Sequence, residues 1–338
     1  MPKTKTNLHT WVGAAALYGA LHAAARRWRE SRYALRGRVV LITGGSRGLG
    51  LLVAREYARH GAQLALVARS GPALDRACDE LRGRGADAIG VECDVSDPAS
   101  VSRMIDAVMA RFGRIDIVVN DAGQIEVGPL ESMTVRDFRD AMDTNFWGAF
   151  NVIHAAYRHL TPGEARIVNI SSVGGIVSVP HLLPYSASKF ALQGFSLGLG
   201  VELARRGVRV VTVAPGLMRT GSPTNASFKG DAAAELAWFS VADSLPLLSM
   251  SGDRAARAIV SASRRGDPLL VLGLPAKLAA LAQALFPNGV ARASALVNRL
   301  LPDGTSLAKR AGHEITSRPP AWLTALSDRA AARNNELG

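Results

Sequence analysis

The chain has 338 residues, 48% hydrophobic and 20% charged, which is enough for a sizeable core and too apolar for a disordered polymer. Two cysteines, Cys78 and Cys93, exclude a disulfide framework and point to a reducing compartment, and no Cys/His cluster has zinc-ligand spacing, so no metal is expected. The net charge of +12 sits on the flanks: residues 1–38 carry eight basic residues against one Glu, residues 251–338 twelve against six, and the middle is balanced. Such flanks suit an anionic membrane surface or another acidic partner, or simply an Arg-rich solvated surface. They lack interleaved aromatics and any recognisable nucleic-acid module, so no nucleic acid is expected as a partner.

Residues 7–25 contain no Asp, Glu, Lys or Arg and are followed by Arg26, Arg27 and Arg29. As a helix they would span roughly 28 Å, marginal for a bilayer. Three readings are open: a membrane anchor or interfacial helix, a soluble helix packed on the domain or a partner subunit, and a signal peptide in which Ala23–Ala25 mimics a cleavage site. The charge lies mostly after the segment, so a spanning helix would leave the rest of the chain in the cytoplasm.

From residue 38 strands and helices alternate. Strands are predicted at Arg38–Ile42, Leu64–Val67, Ala88–Cys93, Ile115–Asn120, Ala165–Ile170, Val208–Val213 and Pro268–Gly273. Helices are predicted at Leu49–His60, Pro72–Arg84, Pro98–Phe112, Val135–Tyr157 and Tyr185–Arg206. Short apolar runs between such helices indicate βαβ units. The expected fold is α/β: a Rossmann-like, doubly wound, parallel seven-stranded sheet with helices on both faces. Residues 1–37 form a helical N-terminal segment, 38–273 the nucleotide-binding domain, and 274–338 a helical extension ending in a polar tail.

The first strand runs into Thr43-Gly44-Gly45-Ser46-Arg47-Gly48-Leu49-Gly50, and a helix follows. Glycines let the backbone approach a pyrophosphate, and the helix N-terminus offers free N–H groups. The second strand ends in Ala68-Arg69-Ser70, with no carboxylate to bind a ribose 2′-OH. Arg69 and Arg47 instead suit a 2′-phosphate, which makes NADP(H) the expected cofactor. A nucleotide cofactor also favours a cytoplasmic location over the signal-peptide reading.

With Asp94-Val95, Asn120-Asp121-Ala122-Gly123, Asn145, Ser172, Tyr185-x-x-x-Lys189 and Pro215-Gly216, residues 38–273 resemble the short-chain dehydrogenase/reductase family. The resemblance implies that Asp94 and Val95 hold the adenine, that Asn120, Ala122 and Gly123 pass close to the cofactor ribose, and that Thr220 binds the nicotinamide carboxamide beside Pro215 and Gly216. Asp121 stands where the family usually has a second Asn, and a carboxylate cannot donate that residue's hydrogen bond. The resemblance also implies a dimer or tetramer built through the helices that carry Asn145 and Tyr185.

Hydride transfer to a carbonyl leaves an alkoxide that needs a proton. Tyr185 can supply it, and Lys189, four residues on, shares its helix face and can favour the tyrosinate. Lys189 can also hold the nicotinamide ribose. Ser172 can polarise the substrate carbonyl. By resemblance Asn145 holds a water that links the lysine to solvent. Ser171 is assigned to structure. His181 could reach the substrate pocket, but is read as a loop histidine with no partner. Leu217, Met218, Phe228, Trp238, Phe239, Leu245 and Leu248 favour a hydrophobic alcohol or ketone, or else pack against the extension or another subunit. The competing function is a catalytically silent NADP(H)-binding sensor or scaffold, which would not need the Ser172/Tyr185/Lys189 set.

Overall fold

The computed structural model describes Gly19, Leu21 and residues 23–337. Most of the apolar run 7–25 lies outside the described residues; residues 23–31 are helical. Among the described residues no helix is long and apolar enough to cross a membrane.

Seven strands form one parallel sheet: β1 (Val39–Thr43), β2 (Gln63–Ala68), β3 (Ala88–Glu92), β4 (Ile117–Asn120), β5 (Arg166–Ile170), β6 (Arg209–Pro215) and β7 (Leu269–Leu272). Their spatial order is β7-β6-β5-β4-β1-β2-β3. The order reverses beside β1, where Ile42 pairs with Leu66 of β2 on one side and Val119 of β4 on the other. That reversal opens a crevice at the carboxyl ends of β1 and β4, where open α/β sheets bind ligands. Every residue of β1 and β4 is buried, because helices cover both faces.

The connections are α1 (Gly48–Arg59), α2 (Gly71–Gly83), α3 (Pro98–Phe112), α4 (Val135–Met142), α5 (Gly148–Ala156), α6 (Leu183–Leu203), α7 (Ala232–Ser244) and α8 (Gly252–Arg265). On one face α1, α2 and α8 bury Leu51, Leu74 and Ile259, and the Tyr57 hydroxyl donates to Ser263 Oγ at 2.7 Å across α1 and α8. On the other face α3, α5 and α6 bury Met104, Ile105, Val152 and Leu203. Each such side chain contributes about 1.5–3 kcal/mol by leaving water. Asp97 caps α3 by accepting from the N–H groups of Ala99 and Ser100, and Gly113 ends it in the left-handed region.

Two expectations are corrected. The helix predicted over 135–157 is not continuous: residues Asp143–Trp147 form a π-turn between α4 and α5, and it carries Asn145. The extension is helical, as expected, but the stretch read as its polar tail holds a further helix. After α9 (Leu274–Leu285) and α10 (Pro287–Asn298) the chain returns across the molecule and forms α11 (Ala321–Arg333), which packs on α7. Ile315 of this return joins Val127, Leu182, Phe228 and Phe239 in a small core above the carboxyl edge of the sheet.

Candidate active site

The loop between β1 and α1 leaves no room for side chains at its first glycine. Gly44 has φ 70°, and a Cβ there would stand 2.9 Å from the Ala122 nitrogen. Thr43 Oγ1 accepts from the N–H groups of Asp121 and Ala122 at 3.2 and 3.1 Å, tying the end of β1 to the loop after β4. Arg47 occupies the N-cap of α1 but makes no side-chain cap bond, so the first N–H groups of the helix take partners from elsewhere: that of Gly48 donates to the Asn334 carbonyl at 2.9 Å, and that of Gly50 to the Asp121 carboxyl.

A cleft of about 670 Å³ runs from this loop along the carboxyl ends of the strands. Its floor carries Gly44, Ser46, Arg47, Gly48 and Leu49. One end holds Arg69, Asp94 and Val95; the other holds Ala122, Gly123, Pro215, Gly216 and Thr220. Burial opposes the charge of Asp94, but two hydrogen bonds from Ser96 outweigh it and hold the carboxyl below its ordinary range. Thr43, Gly50 and Asn120 stand behind the wall. Gly50 fits against the Gly44 carbonyl, and Asn120 Nδ2 donates across the sheet to Asn169 Oδ1 at 2.8 Å.

Ser172, Tyr185 and Lys189 converge on one wall. Ser172 follows β5 and its Oγ accepts from the Gly174 N–H at 3.0 Å. Tyr185 and Lys189 lie one turn apart on α6; Lys189 Nζ is 5.7 Å from the centre of the Tyr185 ring and donates to the Ile170 carbonyl at 2.8 Å. Burial pushes the Tyr185 hydroxyl above its ordinary value, and a hydrogen bond with Ser172 works the other way. Burial pulls Lys189 down, opposed by the negative charge of Asp121. Asn145 does not line the cleft. Its Oδ1 accepts from the Gln124 N–H at 2.9 Å and its Nδ2 donates to Ser188 Oγ at 2.8 Å, so the π-turn pins the segment after β4 to α6. Ser171 is structural, as expected: its Oγ donates to the Lys189 carbonyl at 3.0 Å.

Asp121, where the resemblance leads to the expectation of an asparagine, lies behind the glycine loop. Its carboxyl lies against the N–H of Gly50; burial pushes its pKa up, Lys189 opposes that shift, and Glu336 adds to it. His181 is corrected: it has a partner. Its ring nitrogen meets Glu235 Oε1 at 2.6 Å, and Trp238 Nε1 donates to the other oxygen of the same carboxylate at 2.6 Å. The pair joins the loop before α6 to α7, two segments more than fifty residues apart, with no local signal to link them.

The apolar wall is made by Leu182, Leu217, Met218, Trp238, Phe239 and Leu248. Phe228 is instead fully buried in the small core, and Leu245 is 40% exposed. Among the cleft residues that the sequence reading passed over, three carry an amide or a carboxyl group. Gln124 immediately follows the Asn-Asp-Ala-Gly run, and its Nε2 is buried without a hydrogen-bond partner among the described residues. Asp243, at the end of α7, is pushed up to about 7 by burial.

Glu336, the third, comes from the tail. Past α11 the Asn334 carbonyl accepts from the Gly48 N–H at 2.9 Å, and Asn335 Nδ2 donates to the carbonyls of Ser46 and Ala73. Glu336, 6% exposed, accepts from Asn225 Nδ2 at 2.6 Å and lies 3.5 Å from Arg47 Nε. A Cβ on Gly48 would stand 2.6 Å from its Oε1. The tail therefore lies across the glycine loop and takes one of its helix N–H groups.

Comparison with known proteins then decides the family: the short chain dehydrogenase family matches residues 38–229, more than half of the chain. The chain belongs to the short-chain dehydrogenase/reductase family, a family of oxidoreductases. It is 40% identical over 186 residues to a putative ketoacyl reductase of the granaticin polyketide synthase of Streptomyces violaceoruber, covering 54% of this chain and 68% of that one. It is 36% identical over 260 residues to 11-beta-hydroxysteroid dehydrogenase A of Arachis hypogaea, covering 75% and 73%. Among solved structures, a short-chain dehydrogenase from Streptomyces avermitilis superposes with TM-score 0.66 at 30% identity, over 78% of this chain and 98% of that one. An actinorhodin polyketide ketoreductase solved with NADPH gives TM-score 0.60 at 27% identity, over 70% and 95%. The short-chain dehydrogenase match stops at residue 229, ahead of Trp238, Phe239, Asp243 and Glu336.

Proposed function

We propose that this short-chain dehydrogenase/reductase is an NADP(H)-dependent enzyme that interconverts a carbonyl and an alcohol on an apolar substrate, with Tyr185 as the acid/base. The observation that carries this reading is the convergence of Ser172, Tyr185 and Lys189 on one wall of the cleft that the glycine loop opens, facing Trp238, Phe239 and Leu248. The cleft fits a dinucleotide: Gly44 lets the loop pack against the backbone after β4, α1 turns its N-terminus toward the cleft, and Arg69 and Arg47 line it with guanidinium groups, Arg69 at the end of β2 where an NAD enzyme would carry a carboxylate. NADP(H), when bound, supplies or accepts the hydride. The ketoreductase solved with NADPH supports the choice of cofactor.

The chain's own groups divide the remaining work. Ser172 Oγ donates to the substrate oxygen and orients it. Tyr185 transfers a proton to or from that oxygen. Lys189 places positive charge on the Tyr185 side of the cleft, which favours the tyrosinate that remains. Asn145 holds the Gln124 backbone and Ser188, so the loop after β4 and α6 keep their spacing. The apolar wall excludes water and selects a hydrophobic alcohol or ketone. For phosphates to reach the Gly48 N–H the tail must give way at Asn334, which accepts from it, and at Glu336, which packs on Gly48.

Exposed Trp147 on the π-turn and Phe190, Leu197 and Val201 on α6 support assembly of a dimer or tetramer through the helices that carry Asn145 and Tyr185. The basic flanks support a cytoplasmic protein that meets an anionic membrane surface. The test is Tyr185→Phe, with NADPH binding and turnover of an apolar ketone measured separately. Turnover should be lost while NADPH binding stays within about threefold. Unchanged turnover would remove Tyr185 from the chemistry.

A further inference from the structure

At the other end of the sheet, against the amino ends of β1, β5 and β6, lies a second hollow of about 610 Å³. It is separated from the cleft by the length of the strands, about 17 Å. Seven arginines line it and a single carboxylate, Glu164, does so. Three of the arginines are satisfied: Arg38 pairs with Asp116 and Glu164, Arg264 with Glu30, and Arg265 with Glu30 and Asp267. Arg29, Arg32, Arg166 and Arg209 have no carboxylate within 4 Å among the described residues. Residues 1–22 contain no Asp or Glu, so the chain leading into the helix at 23–31 brings no side-chain carboxylate to them.

Arg166 is the informative one. It is 9% exposed, and its guanidinium stacks 4.1 Å from the centre of the Tyr33 ring. Its Nη1 donates to the carbonyls of Glu164 and Ala165, while its Nε is buried with no partner. Burial and the neighbouring charges of Arg209 and Arg38 all act against its own charge. A buried cation with an unmet donor, beside three more arginines that lack a counter-charge, is costly unless an anion completes it. Guanidinium groups match phosphate oxygens in pairs, and a hollow of this size takes a phosphorylated organic group as well as an inorganic ion.

We propose that this hollow binds a phosphate-bearing anion, presented either by an anionic lipid headgroup or by a soluble phosphate ester. The site stands on its own geometry and does not rest on the oxidoreductase reading; its lipid form would give the membrane-surface reading a defined point of contact. Arg166 and Arg38 form the floor, and the exposed Arg29, Arg32 and Arg209 form the rim. In sequence the helical residues 23–31 continue the apolar run 7–25, so the arginines at 29 and 32 follow that run closely along the chain.

The experiment uses the full-length protein saturated with NADPH, with pyrophosphate binding followed by calorimetry. Pelleting with vesicles of phosphatidylcholine containing about one third phosphatidylglycerol is the second readout. The rim variant Arg32→Gln/Arg209→Gln is compared with a variant of equal charge loss elsewhere on the surface, Arg103→Gln/Arg136→Gln. Saturable pyrophosphate binding that falls tenfold or more in the rim variant alone, with NADPH affinity unchanged, is the expected result. Vesicle binding that pyrophosphate competes away, and that the rim variant loses, assigns the lipid headgroup. Pyrophosphate binding without vesicle binding assigns the soluble ester. Equal losses in the two variants would show diffuse surface charge and overturn the site, as would absence of binding to either probe. A rim variant that lost NADPH affinity in step with pyrophosphate would place both ligands in the cleft and equally overturn it.

Discussion

Replacing Glu336 by Gln should tighten NADPH binding. The carboxylate is 6% exposed, hydrogen-bonded to Asn225, 3.5 Å from Arg47 Nε, and packed on Gly48 at the N-terminus of α1. A pyrophosphate drawn to the same N-terminus brings like charge to it. Two unit charges about 5 Å apart, at an effective dielectric of about 20, repel by about 3 kcal/mol, an upper limit of roughly a hundredfold in affinity. Recoil of the tail and screening through the open mouth reduce this, and an increase of about tenfold is expected. Glutamine keeps the oxygen that accepts from Asn225, so the tail stays folded and the charge alone changes. Burial raises the pKa of Glu336, so acidification should bring the wild type toward the variant while leaving the variant nearly level. The assay is NADPH fluorescence titrated at two pH values and two salt concentrations. Unchanged affinity would show that tail and phosphates do not share the loop. Weakened affinity would show that the tail clamps the cofactor, the reverse of the argument.

Three further outcomes follow from the same geometry. Arg69→Asp should weaken NADPH by tenfold or more and NADH little, measured by parallel titrations; equal losses would remove Arg69 from the 2′-phosphate. Asp121→Asn removes the negative charge that opposes the downward shift of Lys189, so the lysine should lose its proton at lower pH. The alkaline limb of the pH–rate profile should then move to lower pH, and an unmoved limb would uncouple Asp121 from the lysine. Asp243→Asn concerns stability. The Asp243 carboxyl rises from 3.8 to about 7 through burial, with Ser327, Arg219 and the Met218 N–H pulling it down and Glu336 pushing it up. The folded state therefore holds a proton that the unfolded chain releases, and stability from this group falls as pH rises from about 4 to 7. The shift is worth at most about 4 kcal/mol. Asn should flatten the dependence of Tm on pH over that window; an identical slope in the variant would refute the assignment.

The sheet and the meeting of Tyr185 and Lys189 on one wall of the cleft were legible because their signals are local. Buried parallel strands read as short apolar runs, and all seven predicted strands lie within a residue or two of their places. Tyr185 and Lys189 are read together because one helical turn links them. The π-turn at Asp143–Trp147 was not legible: Asn145 bonds to the backbone of Gln124, twenty-one residues away, and nothing in the helical periodicity reports that partner. The same holds for His181, whose partner Glu235 is on α7.

The tail shows what local reading leaves out at a ligand site. Asn334, Asn335 and Glu336 look like the polar end of a helix, and their composition suggests solvent. Their partners are Gly48, Ser46, Ala73 and Asn225, all more than a hundred residues distant in sequence. Glycines that let a backbone meet a phosphate let it meet a carbonyl equally well, as the Gly48 N–H meets that of Asn334, and the helix dipole favours the Glu336 carboxylate packed beside it. A glycine-loop motif thus specifies the charge and approach of its ligand but not its source. In this chain the residues that fit the loop include three of its own, so on the proposed reading cofactor affinity should depend on how firmly α11 holds the tail in place.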